Sequence, residues 1–197
     1  GEWTQLPRFG CDSRQLQPGE VFVALRGKHY DGAAFIDTAF ARGASGVIAQ
    51  KYVQPRPGCW SLEVEDSRQA LEQLAQWCRD EFRGRLVSVA GVAGTATTRR
   101  LVDTVLASQF MGCSWSQKNA RREGAAIGLL GLEPHHYYGV FDVNLSTPGD
   151  LTGVMAECRA CVGVVTDVSR PNTAQSATNS LHDTVSQFLA QLPVDCH

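Results

Sequence analysis

The sequence predicts an α/β fold in two units, a small amino-terminal one and a second built on a doubly wound, mostly parallel sheet. Three observations carry this. Apolar runs of strand length alternate with stretches whose apolar residues recur at helical spacing. Two later runs, Tyr137–Val143 and Val162–Val168, are almost continuously apolar, as parallel strands buried on both faces require. A glycine turn, Gly91-Val92-Ala93-Gly94, stands between one such run and a helical pattern.

Within the first unit, residues 1–84, the segments Val21–Leu25, Gly46–Gln50 and Trp60–Val64 read as short strands. A helix between the first two carries Phe35, Ile36, Ala39 and Phe40 on one face and stops at Arg42-Gly43. Asp66 and Gln69 have the spacing of a capping box, opening a helix whose stripe is Leu71, Leu74, Ala75, Cys78 and Phe82. Arg83-Gly84-Arg85 marks the boundary. The second unit, residues 85–197, begins with strand Leu86–Ala90 and the glycine turn. A helix follows from about Thr98 to Phe110, with Leu101, Val102, Val105 and Leu106 at helical spacing. Its last helix, roughly Leu181 to Leu192, carries Val185, Phe188 and Leu189. The polar stretch Ser169–Ser180 reads as a surface loop.

Composition excludes several functions. With 197 residues, 43% hydrophobic and 19% charged, the chain can bury a real core. A net charge of -2 gives no footprint for nucleic acid. No apolar run approaches the roughly 20 residues that span a bilayer, and no signal peptide opens the sequence. The seven cysteines lack a spaced framework, which argues against a disulfide scaffold and for the cytosol. Cys158 and Cys161 form the single close pair and read as two thiols near a helix–strand junction.

The turn has the frame of a phosphate-binding loop, so the second unit is expected to be P-loop-like, or Rossmann-like, in architecture. Its chemistry is another matter. The short G-x-x-G-K-[ST] loop places a lysine after the second glycine, then a hydroxyl for magnesium. Those positions here are Thr95 and Ala96, with Thr97 next. A helix amino terminus still offers N–H groups to an anion, whereas a tight turn kept for packing is the plainer reading. A dinucleotide site is disfavoured, because the third glycine and a ribose-binding acid are both missing.

Cys11-Asp12-Ser13-Arg14, Gln17-Pro18-Gly19 and Val21 to Gly27 continue into Tyr30-Asp31-Gly32, Phe35-Ile36 and Gly43-Ala44. This series resembles the amino-terminal domain of the Mur ligases, the ATP-dependent amide-forming enzymes of peptidoglycan synthesis, and most nearly their D-alanyl-D-alanine-adding branch. Residues from the glycine turn onward resemble part of the family's central ATPase domain, through Val140–Asp150 and Val165–Val168. The resemblance implies that residues 1–84 hold a UDP-linked muramyl precursor, with Ser13, Arg14, Arg26 and Gly27 as candidate contacts. It implies that residues 85–197 form a central-like domain with a degenerate loop at Gly91, Gly94, Thr95, Ala96 and Thr97, the family's third domain being absent.

Further positions depart from the family pattern. Asp142 is a shortened, vestigial form of the metal-binding glutamate, and Thr147 stands for the histidine before Pro148-Gly149. Asp167 replaces an asparagine, Asn172 falls near another expected histidine, and Arg121-Arg122 lies where paired asparagines are usual. Phosphoryl transfer depends on charge stabilisation by lysine and magnesium, and each loss costs on the order of 10²–10³ in rate. Arg99 and Arg100 are the available substitute charges, expected to point away from the turn.

The expectation is therefore a Mur-ligase-like pseudo-ligase related to peptidoglycan precursor synthesis, acting by binding, scaffolding or regulation. No catalytic residue, metal or cofactor is expected, although ATP and Mg²⁺ serve the family. Expected partners are UDP-muramyl precursors or cell-wall synthesis proteins. Two alternatives stay open: a fragment of an ATP-dependent D-alanyl-D-alanine-adding ligase, and a ligand-free interaction module. His135-His136 is read as a surface loop entering a strand, since neighbours on an extended segment face opposite ways. His182-Asp183 has no nucleophile at triad spacing.

Overall fold

A computed structural model of the chain describes residues 6–27, 30–117, 122–145, 151–167, 183, 185–190 and 192. It contains two compact units, Gly1–Trp77 and Cys78–His197, with the division falling inside a helix.

The first unit is a parallel sheet in the order β1-β2-β3-β4: Phe9–Gly10, Val21–Val23, Gly46–Ala49 and Trp60–Glu63. Strand β1 has only two residues, too short for any periodic signal. A 3-10 turn, Gly32–Phe35, runs into helix α1, Ile36–Ala41. Asp31 initiates that turn by accepting the Ala33 N–H at 2.9 Å. Ile36, Ala39 and Phe40 of α1 pack with Phe22, Ala24, Val47 and Ala49 into one core, while Phe35 stays exposed. Val21 and Val23 are fully buried as well, so β2 is covered on both faces.

Helix α2, Ser67–Glu81, begins as the sequence indicates. Asp66 accepts from the N–H groups of Arg68 at 2.7 Å and Gln69 at 3.1 Å, satisfying two orphan donors of the first turn. Asp66→Ala is expected to lower stability by about 1 kcal/mol, read from the midpoint of urea unfolding.

The second unit has strands β5, Arg85–Gly91; β6, Gly112–Gln117; β7, Tyr138–Asn144; and β8, Val162–Val165. They form one parallel sheet ordered β6-β7-β5-β8. The connecting helices are α3, Thr95–Ala107; α4, Arg122–Leu130; and α5, Leu151–Cys158. The chain leaves β5 toward the β6 edge and leaves β7 toward the β8 edge. The carboxyl ends of the adjacent strands β5 and β7 are thus the topological switch point, where open α/β sheets hold ligands. Leu145 N–H donates to Gly91 O at 2.9 Å and ties the two strand ends together.

Several elements differ from expectation. Helix α3 begins at Thr95 and not Thr98, because Gly94 at φ 79° caps it directly. Its buried stripe is also narrower: Val102 and Leu106 pack against the sheet, while Leu101 and Val105 are 62% and 68% exposed. Strand β8 ends at Val165, since Thr166 and Asp167 turn to meet the glycine loop; Val168 lies outside the described residues. Residues 185–190 are helical with Phe188 buried, but Leu189 is half exposed. The Ser169–Ser180 stretch, Leu181 and His182 lie outside the described residues.

No helix among the described residues is long and apolar enough to cross a membrane. The carboxyl end of α5 is finished by Arg79, whose guanidinium donates to Cys158 O at 2.7 Å and Arg159 O at 3.0 Å.

Candidate functional site

The glycine turn ends β5 and starts α3 within three residues, and its contacts show what it can still offer. Val92 N–H donates to Asp167 O at 2.7 Å, and Ala93 N–H reaches the same oxygen at 3.4 Å. Thr166 Oγ1 donates to Ala93 O at 2.7 Å. Those loop amides face the β8 end. A Cβ on Gly91 would run into Thr166 Oγ1 and lie 3.0 Å from Asp167 O, so close backbone approach requires glycine there. The loop donors left are the N–H groups of residues 94–97, which precede the first helical bond, Thr98 N–H to Gly94 O at 2.9 Å. Thr95 itself is buried, while Ala96 and Thr97 are exposed.

Asp142 lies in the middle of β7, two residues before its end, and is 4% exposed. Its Oδ1 accepts from Arg99 Nε at 2.5 Å, and its Oδ2 accepts from Ser116 Oγ at 3.2 Å. The Arg99 side chain comes off the first turns of α3 and is only 12% exposed. Arg99 Nη1 donates to Ser114 Oγ at 2.9 Å, and Ser114 Oγ donates on to Asp103 Oδ2 at 2.7 Å. Asp103 Oδ1 accepts from the Tyr138 hydroxyl at 2.9 Å. Burial, then this bond to Asp103, pushes the Tyr138 phenol up to about 12. Arg99 thus reaches onto β6 and β7 and makes an inward network. Sequence reasoning missed it, although a carboxylate in the apolar run Tyr138–Asn144 demanded a buried cation nearby.

In the first unit, the segments after β1 and β2 share the carboxyl end of the sheet. Ser13 is 5% exposed and sits under that surface. Arg14 is turned back on its own loop: its Nε and Nη2 donate to Asp12 Oδ1 at 2.9 Å and Oδ2 at 2.8 Å. Arg26 bridges Asp31 through its backbone and leaves its side chain exposed. Gly27 N–H donates to Tyr30 O at 2.9 Å. Ser13, Arg26 and Gly27 therefore share one edge, with the Arg14 charge already partnered.

The bonds from the Arg14 side chain and backbone hold the Asp12 carboxyl down at about 2. A depressed acid stabilises above its unfolded pKa of about 3.9 and loses that contribution as pH falls through about 2. A carboxyl NMR titration should place the Asp12 midpoint near 2, moving back toward the ordinary range in Arg14→Ala.

The remaining candidates carry less. His136 N–H donates to Glu133 O at 3.0 Å, so this segment is a turn leading into β7, consistent with the surface loop expected there. The turn gathers ligand atoms of Glu133, His135 and His136 within 4.8 Å of one another. Glu133 N–H, however, donates to His136 Nδ1 at 3.1 Å, which occupies that nitrogen, and burial holds the His136 imidazole below its usual range. Cys158 and Cys161 are free thiols; burial pushes Cys158 up to about 12, far from a reactive thiolate. Arg121, Thr147, Pro148, Gly149 and Asn172 lie outside the described residues, as does His182 of the His182-Asp183 pair.

Comparison with known proteins identifies a family domain within the first unit. Residues 8–77 match the model described as "Mur ligase family, catalytic domain". The UDP-N-acetylmuramoyl-tripeptide–D-alanyl-D-alanine ligase of Synechocystis sp. is 30% identical over 159 residues, 80% of this chain and 35% of that protein. The chain thus carries a Mur ligase family domain. The Escherichia coli ligase of the same name is 28% identical over 168 residues, 83% of this chain and 36% of its own length. The fold agrees with that of MurF from Acinetobacter baumannii, at TM-score 0.74 and 20% identity over 96% of this chain and 42% of that one. It also agrees with Thermotoga maritima MurF in complex with ADP, at TM-score 0.68 and 25% identity over 94% of this chain and 43% of that one. The chain thus spans about a third of the curated Mur ligases it matches. The matched family segment ends before β5, so the glycine turn and the Arg99–Asp142 network lie beyond it.

Proposed function

We propose that this chain acts in peptidoglycan precursor synthesis as a binding member of the Mur ligase family that does not itself catalyse ligation. The observation that carries the reading is the contrast between its two units. The first keeps its turns and the exposed Arg26 at one sheet edge. The second carries Thr95 and Ala96 where a phosphate loop needs lysine and a metal-binding hydroxyl, and its Asp142 is committed to Arg99. ATP and magnesium, implied by the family, do not fit this set. A cation at Asp142 must displace a guanidinium, and two loop amides are already bonded to Asp167.

On this reading the first unit takes a UDP-linked muramyl peptide, the substrate class in its relatives' names. Arg26 is the free charge for the diphosphate. Titration calorimetry of the full chain with UDP-MurNAc-tripeptide should show saturable binding. Arg26→Ala should weaken it roughly tenfold, the loss of one charged hydrogen bond, and Arg14→Ala much less. No heat of binding from the tripeptide or from UDP would overturn the reading and favour a ligand-free interaction module.

A second reading follows from length. Since the chain spans about a third of its curated relatives, it would supply one part of a D-alanyl-D-alanine-adding ligase completed by other segments. That reading requires Mg²⁺-dependent ATP binding here or in the completed assembly.

A further inference from the structure

The oxygens around Arg99, with Asp142 buried and the rest partly buried or exposed, form a set of unusual composition. Asp142 Oδ1 and Ser114 Oγ touch the guanidinium, while Asp103 backs Ser114 and Ser116 backs Asp142, giving two carboxylates and two hydroxyls in one cluster. They come from β7, α3 and β6, so the cage is fixed by three elements of a rigid sheet layer. Hard oxygen donors of this kind, with two negative charges among them, suit a divalent cation. The single positive charge of Arg99 leaves one of those charges unbalanced within the cluster.

We infer that Arg99 is a built-in cation filling what is otherwise a divalent-metal cage, so that the second unit is held together without metal. The guanidinium Nε lies on Asp142 Oδ1 and Nη1 on Ser114 Oγ, so its donors take the lone pairs a metal ion would need. A metal ion and a guanidinium cannot share Asp142 Oδ1, by charge repulsion and by space. The same pair explains how Asp142 can be buried in an apolar strand at all. Shortening Arg99 then vacates the cage and leaves oxygen ligands in place. The inference goes beyond the binding reading and depends only on the second unit.

Manganese is the probe, read by loss of the free-ion signal in electron paramagnetic resonance with the full chain and no nucleotide present. Wild type should leave the Mn²⁺ signal unchanged, and so should Arg99→Lys, which keeps a cation in the cage. Arg99→Ala should take up Mn²⁺ stoichiometrically, and Arg99→Ala with Asp142→Asn should lose that uptake. Should Arg99→Ala unfold alone, its thermal transition should return with Mn²⁺ and not with sodium at equal ionic strength. Mn²⁺ uptake by wild type that disappears in Asp142→Asn overturns the inference. So does an Arg99→Ala chain that folds without taking up metal, or one that Mn²⁺ fails to restore. None of these results depends on precursor binding, so this inference and the proposed function fail separately.

Discussion

Replacing Arg99 by methionine is expected to lower the unfolding free energy by roughly 3–5 kcal/mol, more than a surface ion pair could cost. The reason is not the attraction lost but the charge left behind. Asp142 is 4% exposed in the centre of β7, and without Arg99 its Oδ1 has no cationic partner. The double replacement Arg99→Met with Asp142→Leu should recover much of the loss, since no buried charge then remains. Urea unfolding of wild type, both single variants and the double variant makes the cycle. Single losses below about 1 kcal/mol would place this pair among screened surface contacts and refute its burial.

Phe141→Ala is expected to cost about 3–5 kcal/mol, from the cavity it opens beside an aromatic partner. Phe141 is fully buried and stacks on Trp115, with ring centroids 5.2 Å apart and planes 16° from parallel. Trp115 in turn lies against Gly128 of α4, where a Cβ would enter the indole. Successive residues on β7 face opposite sides, so Phe141 packs away from the Arg99–Asp142 face. The variant should therefore lose stability and shift Trp115 emission to the red, while its Mn²⁺ response stays that of wild type. A loss near zero would mean that α4 and β6 collapse freely onto the gap.

How much of this was legible in the sequence follows from the range of each signal. Strands β2, β3, β5 and β7 were legible because continuous apolar runs have no other stable home than a covered sheet. The start of α2 was legible because Asp66 bonds only two and three residues ahead. The start of α3 was not, because Gly94 in a left-handed conformation does the work of a capping side chain. Helix α4 was passed over although Ala125, Ala126, Leu129 and Leu130 all lie buried at helical spacing. The surface loop at His135-His136 leading into β7 was legible, and a local hydrogen bond makes it a turn. The Arg99 network joins α3, β6 and β7 across 43 and 15 residues of sequence, a separation over which local pattern carries no information. What the residues did offer was a demand without an address: a carboxylate amid apolar neighbours needs a cation, and Arg99 supplies it.

The proposed function requires a glycine turn that keeps the frame of a phosphate loop without its lysine and metal-binding hydroxyl. Equilibrium titration of the full chain with ATP, with and without Mg²⁺, tests it most directly. No Mg²⁺-dependent ATP binding and no ATP hydrolysis are expected. Micromolar binding of ATP·Mg, abolished by substitution at Gly94, would contradict it.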